Sequence, residues 1–263
     1  MSKPLVSIHG NKVGIDHDGF VVARGFKEGI VGKQVDHFGP HKVVLEEDFV
    51  GISTQAINPK LVYTEGTDTA TAGAAITVGV EGVYTLTAGD SAGTIAADGA
   101  QLNSELNWKA NQGGLTFEAR VKLGAITTVS AFIGFTDTLA LEGPVSLSGT
   151  TFTTNASDAV GFLFDTAATT DTIRLVGVAA DVDATMQDTS LAFVADTYKT
   201  LRIEVSSTGA AKFFIDGVAV GSLMSGAVTA TVALTPVFII RPEGAVAGRT
   251  LSIDYFHVSA NRS

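Results

Sequence analysis

The run LRIEVSSTGAAKFFIDGVAVGS (residues 201–222) decides the fold. Leu201, Ile203 and Val205 alternate with Arg202 and Glu204, which is the period of a strand with one buried face. Ser206, Ser207, Thr208 and Gly209 break the run, and a second strand-like segment follows, interrupted at Asp216-Gly217. An acidic residue beside glycine in an apolar segment has three readings: a catalytic carboxylate, a metal ligand or a turn. Asp-Gly between two β segments favours the turn, because both central positions of a tight hairpin need positive φ. Residues 213–215 and 218–220 then become neighbouring antiparallel strands.

The same pattern recurs from Leu45 onward. LTFEARVKL (115–123) alternates Leu, Phe, Ala, Val and Leu with Thr, Glu, Arg and Lys. AITVGVEGVYTLTA (75–88) reads as two strands around Glu81-Gly82. VSAFIGFTD (129–137) and AVGFLFDT (159–166) are nearly continuous apolar runs, expected of strands covered on both faces. DTIRLVGV (171–178), TPVFIIRPE (235–243) and RTLSIDYFHVS (249–259) add further strands. The one helical suggestion is a short turn near 102–108. The predicted fold is therefore all-β: a two-sheet antiparallel β-sandwich of jelly-roll type over residues 45–263.

Residues 1–44 differ. They hold seven glycines, four of the five histidines and a net charge of +2, against −12 for the remainder of a chain whose total is −10. VGIDHDGFVVARGF (13–26) reads as a hairpin with Asp18-Gly19 at its turn. This segment is expected to be an extended arm that docks on a partner through Lys12, His17, Phe20, Arg24, Phe26, Lys27 and Lys33. The acidic body argues against nucleic acid as a partner, and no apolar run is long enough for a membrane helix. Cysteine is absent, which rules out disulfides and thiolate metal sites within this sequence. The N-terminal residues lack a signal-peptide pattern, so synthesis in a cytoplasm is expected, with release by lysis.

Motifs of chemistry are weak. GDSAG (89–93) fits a nucleophile pattern, but TIAADGA follows it, which does not read as a helix, and His257 is the one downstream histidine, so it reads as a polar turn. Asp181, Asp183 and Asp188 lie close in sequence, but Met186 and Ala192 occupy the positions where a helix-loop-helix calcium loop needs Gly and Glu. A solvated acidic loop is the default there, with an irregular calcium site the lesser reading. Asp16, His17 and Asp18, with His9 or His37, form a weaker metal candidate of the arm. Glu118, Glu204 and Asp254 each stand alone in a strand and read as outward residues. Trp108 and Tyr63, Tyr84, Tyr198 and Tyr255 sit at strand-like positions, where packing is the better reading than a sugar platform.

The order LEEDFVG (45–51), LNWKANQGGLTFEARVKL (106–123), AFIGFTD, GFLFDT, TIRLVGV, YKTLRIEV…KFFIDGVAVGS and RTLSIDYFHVSANR resembles the concanavalin-A-like, or laminin-G-like, jelly roll. The wording of the body and of KVGIDHDGFVVARGF is similar to virion structural proteins of tailed bacteriophages. Glucanases of this fold carry an alternating Glu-x-Asp-x-(x)-Glu run on one strand, and no such run is present. The resemblance therefore implies a non-enzymatic capsid decoration, or cement, protein on the virion surface. Its expected partners are the major capsid protein and further copies of itself, as dimers or trimers, and no cofactor is implied. The alternative is a head or tail fibre module that binds host glycans; a glycanase ranks last.

Overall fold

The computed structural model describes residues 6–8, 11–15, 21–24, 42–49, 58–77 and 82–262. The chain divides into two compact units, essentially residues 1–44 and 45–261. In the first unit, β1 (Val6–Ile8), β2 (Asn11–Ile15) and β3 (Val21–Arg24) form an antiparallel sheet in that order. Ile15 pairs with Val21 and Lys12 with Arg24. The turn expected at Asp18-Gly19 lies outside the described residues.

The second unit is built from β4 (Lys42–Glu47), β5 (Val62–Glu65), β6 (Gly73–Thr77), β7 (Val83–Thr87), α1 (Ile95–Asp98) and β8 (Ala100–Asn103). Next come β9 (Leu115–Leu123), β10 (Val129–Thr136), β11 (Val145–Ser148), β12 (Thr151–Thr154), β13 (Ala159–Asp165) and β14 (Ile173–Ala179). The chain closes with β15 (Val182–Asp183), β16 (Gln187–Asp188), β17 (Lys199–Val205), β18 (Ala211–Ile215), β19 (Val218–Met224), β20 (Thr235–Pro242) and β21 (Thr250–Asn261). One sheet runs β19-β18-β17-β9-β21-β7-β6, with β4 on β21. The other runs β15-β14-β13-β10-β20-β8-β5, with β16 on β14. The pairings of β10 with β13 and β20, of β13 with β14, and of β9 with β17 and β21 are antiparallel. This is the expected β-sandwich. The expected turn at 102–108 is displaced: residues 100–103 are strand, and a short 3-10 turn occupies Ala110–Gln112.

Strand alternation places the core between the two sheets. On β9, Leu115, Phe117, Ala119, Val121 and Leu123 are buried, while the polar residues between them face outward. Phe117 meets Phe135 and Phe238 from the opposite sheet at ring-centroid distances of 5.6 and 5.5 Å. Such aromatic pairs add about 0.5–1.5 kcal/mol each beyond area burial. The β18–β19 turn is as read from sequence. Asp216 and Gly217 have φ of 52° and 79°, the paired positive values of a tight hairpin.

Candidate functional site

The second sheet has an unusual outer face. Side chains at Phe132 on β10, Ala159 and Leu163 on β13, Val176 and Val178 on β14, and Val237 and Ile239 on β20 form a second buried apolar cluster. The β11–β12 hairpin covers it. Val145 and Leu147 point down into the cluster and Phe152 packs beside them, whereas Ser148, Thr151 and Thr153 face solvent. The two apolar runs read in the sequence as covered on both faces are thus β10 and β13, buried along their full length.

Polar groups flank this seal on two sides. At the β8 side, Gln101 and Asn103 are 0% and 2% exposed, and both share the outer face with Ile239 and Val237 through their register on β20. Gln101 Nε2 and Asn103 Nδ2 each donate to the Leu139 carbonyl at 3.2 Å. Their amide oxygens, and Thr136 Oγ1 at the end of β10, are buried without a hydrogen-bond partner among the described residues. Burying unpaired polar atoms is costly, and a native structure that tolerates several on one face has a reason for it. The loop after Thr136 also brings in two carboxylates. Glu142 is held above the usual carboxylate range by burial and then by the charge of Asp137. Asp137 is raised by burial, which outweighs hydrogen bonds from backbone amides, with Asp158 and Asp181 adding repulsion.

At the opposite end of the face, Asp165, Ser130 and Arg241 form one row across β13, β10 and β20. Asp165 is fully enclosed. It accepts from Ser130 Oγ at 3.1 Å, Leu147 N at 3.2 Å and Ala167 N at 3.0 Å, with Arg241 at 3.8 Å. Arg241 also meets Glu243 at 2.6 Å. A carboxylate so enclosed anchors the hairpin and is closed to substrate. Along β13 the outer positions are Ala159, Gly161, Leu163 and Asp165, so this strand carries no alternating set of carboxylates.

The residues singled out in the sequence fall elsewhere. Glu118 accepts from Tyr255 Oη at 3.1 Å, Asp254 pairs with Arg120 at 2.5 Å, and Glu204 pairs with Arg202 at 3.4 Å, all within the first sheet. Ser91 of GDSAG donates its hydroxyl to Asp98 at 2.8 Å, and a four-residue helix, α1, does follow the motif. The motif is a loop folded around one buried carboxylate, as a polar turn implies, and not a nucleophile. Asp188 pairs with Arg174 at 2.5 Å and Asp181 accepts from Ser157 at 2.7 Å, while Asp183 is bound by Thr154. Among the described residues no group of three or more His, Asp or Glu side chains could hold a metal ion. Trp108 and Tyr84 are core residues. Of the arm residues, Lys12 and Arg24 are register partners on β2 and β3; His17, Phe20, Phe26, Lys27 and Lys33 lie outside the described residues.

No protein-family model and no curated protein matches the chain. Solved structures do. A Shewanella oneidensis protein of unknown function matches with TM-score 0.54 and 13% identity over 90% of this chain and 95% of its own. Bacillus licheniformis β-glucanase matches with TM-score 0.56 and 13% identity over 82% of this chain and 97% of its own. A Bacteroides ovatus mixed-linkage-glucan GH16 protein, in complex with a G4G4G3G product, matches with TM-score 0.54 and 12% identity over 81% and 99%. At such identities the likeness shows the concanavalin-A-like jelly-roll fold. It also corrects the expected function. The neighbours are mostly glucanases and nothing among them points to a phage virion, so a non-enzymatic capsid decoration protein is not supported. The element order read as a jelly roll is shared with these carbohydrate-active neighbours, and the likeness in wording to virion proteins has no counterpart among them.

Proposed function

We propose that the sandwich is a carbohydrate-active domain that binds a β-linked glucan at the β8 side of the second sheet. The observation that carries this reading is the set of buried, unpaired acceptors on Gln101, Asn103 and Thr136. Sugar hydroxyls are donors and acceptors at close spacing, and paired side-chain amides present both functions. The two amide N–H groups rest on the Leu139 carbonyl. A ligand hydroxyl that replaced this carbonyl would also supply the donors the amide oxygens lack. The glucanase neighbours support the choice of glucan.

Hydrolysis is a second reading, favoured by Glu142 and Asp137. Glycoside cleavage needs one carboxyl that keeps its proton toward neutral pH and one that ionises. Glu142 is raised by burial and by the charge of Asp137, the direction a general acid needs, and Asp137, itself raised by burial, is the acidic neighbour whose charge it feels.

The test is calorimetric binding of the full chain to β-1,3-1,4-glucan, alongside release of reducing ends. Binding that weakens roughly tenfold or more in Gln101→Ala and Asn103→Ala is expected. Sugar release abolished by Glu142→Gln, with binding retained, establishes hydrolysis; binding without release leaves recognition alone. Absence of both defeats the carbohydrate reading.

A further inference from the structure

The outer face of the second sheet is closed over most of its width, and this limits what a glycan could do there. The β11–β12 hairpin is fixed at several points. Leu147 N donates to Asp165 Oδ2 at 3.2 Å under the hairpin. At its tip, Gly149 N donates to Ala167 O at 2.7 Å and Thr169 N to Gly149 O at 2.9 Å. At its base, Asn155 N donates to Pro144 O at 2.9 Å and Asn155 Nδ2 to Gly143 O at 2.7 Å. Thr154 also binds Asp183 beyond β14. Beneath these ties lies the sealed apolar cluster. The hairpin is a fixed wall, since lifting it would expose that cluster and strip Asp165 of a donor.

The Arg241 end is closed as well. Ile95 of α1 packs on the same cluster, and Arg241 Nη1 donates to Gly93 O at 3.2 Å. What remains is the margin at β5, beside β8, whose Gln101 and Asn103 lie buried on the Leu139 carbonyl. Val62 is register partner of Asn103, Thr64 of Gln101, and Val62 and Leu139 are 50% and 47% exposed. From β5 to β20 is two inter-strand spacings, about 10 Å, which is the span of two sugar rings.

Resting on the carbohydrate reading above, we infer that the site takes the end of a glycan chain, not an internal segment. A chain laid across the strands enters over Val62 and Thr64, takes the place of the Leu139 carbonyl on Asn103 and Gln101, and stops against Val237, Ile239 and the hairpin that covers them. An internal segment would need a channel open at both ends, and the hairpin removes one of them.

The experiment uses the intact chain and titrates it with linear β-linked gluco-oligosaccharides of two to six units, the linear polymer and a cyclic β-glucan. Affinity is expected to level off at two units, varying less than about threefold thereafter. The polymer should bind in proportion to its chain ends, and the cyclic glucan, which has none, should not bind. Affinity that climbs roughly tenfold or more between two and six units, or cyclic glucan binding as tightly as linear, overturns the inference while leaving glucan binding intact. Binding unaffected by Gln101→Ala and Asn103→Ala overturns it too, because the ligand then lies elsewhere. Failure of every glucan to bind defeats the carbohydrate reading itself, and the inference with it.

Discussion

Asp216 and Thr200 are tied twice. Thr200 N donates to Asp216 Oδ1 at 2.8 Å, and Asp216 N donates to Thr200 O at 2.8 Å. The aspartate that looked like a lone carboxylate in an apolar strand thus closes the β18–β19 turn onto the start of β17. Replacing it with alanine removes a side-chain acceptor and puts a residue that disfavours positive φ at 52°. Asp216→Ala should lower stability by about 1–2 kcal/mol. Asp216→Asn, which keeps an acceptor and tolerates the left-handed region, should cost less than about 1 kcal/mol. Urea unfolding of the two variants against the parent checks the order.

Arg241 faces two carboxylates and cannot satisfy both equally. Asp165 already has three other donors, so Glu243 carries the poorly compensated charge despite its 2.6 Å contact. Burial, opposed by Arg241 and reinforced by Asp165, pushes Glu243 up from 4.5 to about 7. A carboxyl whose folded pKa is raised binds more proton in the native state. Its contribution is complete below the unfolded value of 4.5 and is lost as pH climbs through about 7. The parent should therefore lose on the order of 2–3 kcal/mol across that window from this group. Glu243→Gln should flatten the decline. Unfolding free energies measured from pH 4 to pH 8 for both proteins test this, and parallel curves would sink it.

Asp98 has the opposite sign. Burial would raise it, but the Ser91 hydroxyl and the backbone amides of Ser91, Ala92 and Gly93 together hold it below its ordinary 3.8. Its stabilisation is present above that value and fades as pH falls below it. Asp98→Asn places an amide N–H₂ among groups that are themselves donors, and should cost about 2–3 kcal/mol near neutral pH. Melting curves should show parent and variant converging at the acid end. A constant difference down to pH 3 would mean that the ionised carboxylate is not what the loop needs.

Much of the fold was legible because strand alternation is local. The Leu115-to-Leu123 pattern and the Asp216-Gly217 turn each follow from neighbouring residues. The burial of β10 and β13 on both faces was legible too, but not its cause. Their cover, β11–β12, is two four-residue strands with only Val145, Leu147 and Phe152 as apolar contacts, too short for a period to stand out. Helix α1 was missed because it is one turn long, although Thr94 accepts from Ala97 N as its cap. The site was invisible for a different reason. In Ala100–Asn103 nothing local says that Gln101 and Asn103 are buried; that depends on Leu139, more than thirty residues away. The functional reading goes astray where it takes the wording of the body for that of a virion protein, since the solved structures that share this fold are mostly glucanases.

Gln101 and Asn103 offer a way to separate stability from function. Each makes one hydrogen bond, at 3.2 Å, to the same carbonyl and leaves its own oxygen unpaired in a buried setting. An apolar side chain of similar shape would lose that bond but also remove the desolvated oxygen, and the two effects nearly cancel. Gln101→Met and Asn103→Leu should therefore shift stability by no more than about 1 kcal/mol in either direction. Both should abolish glucan binding, since neither side chain can exchange hydrogen bonds with a sugar hydroxyl. Thermal unfolding and titration calorimetry on the same preparations give both readouts. Destabilisation of about 3 kcal/mol or more would mean that the amides are structural, their oxygens satisfied in the native chain. Unchanged stability with unchanged glucan affinity would remove them from the site.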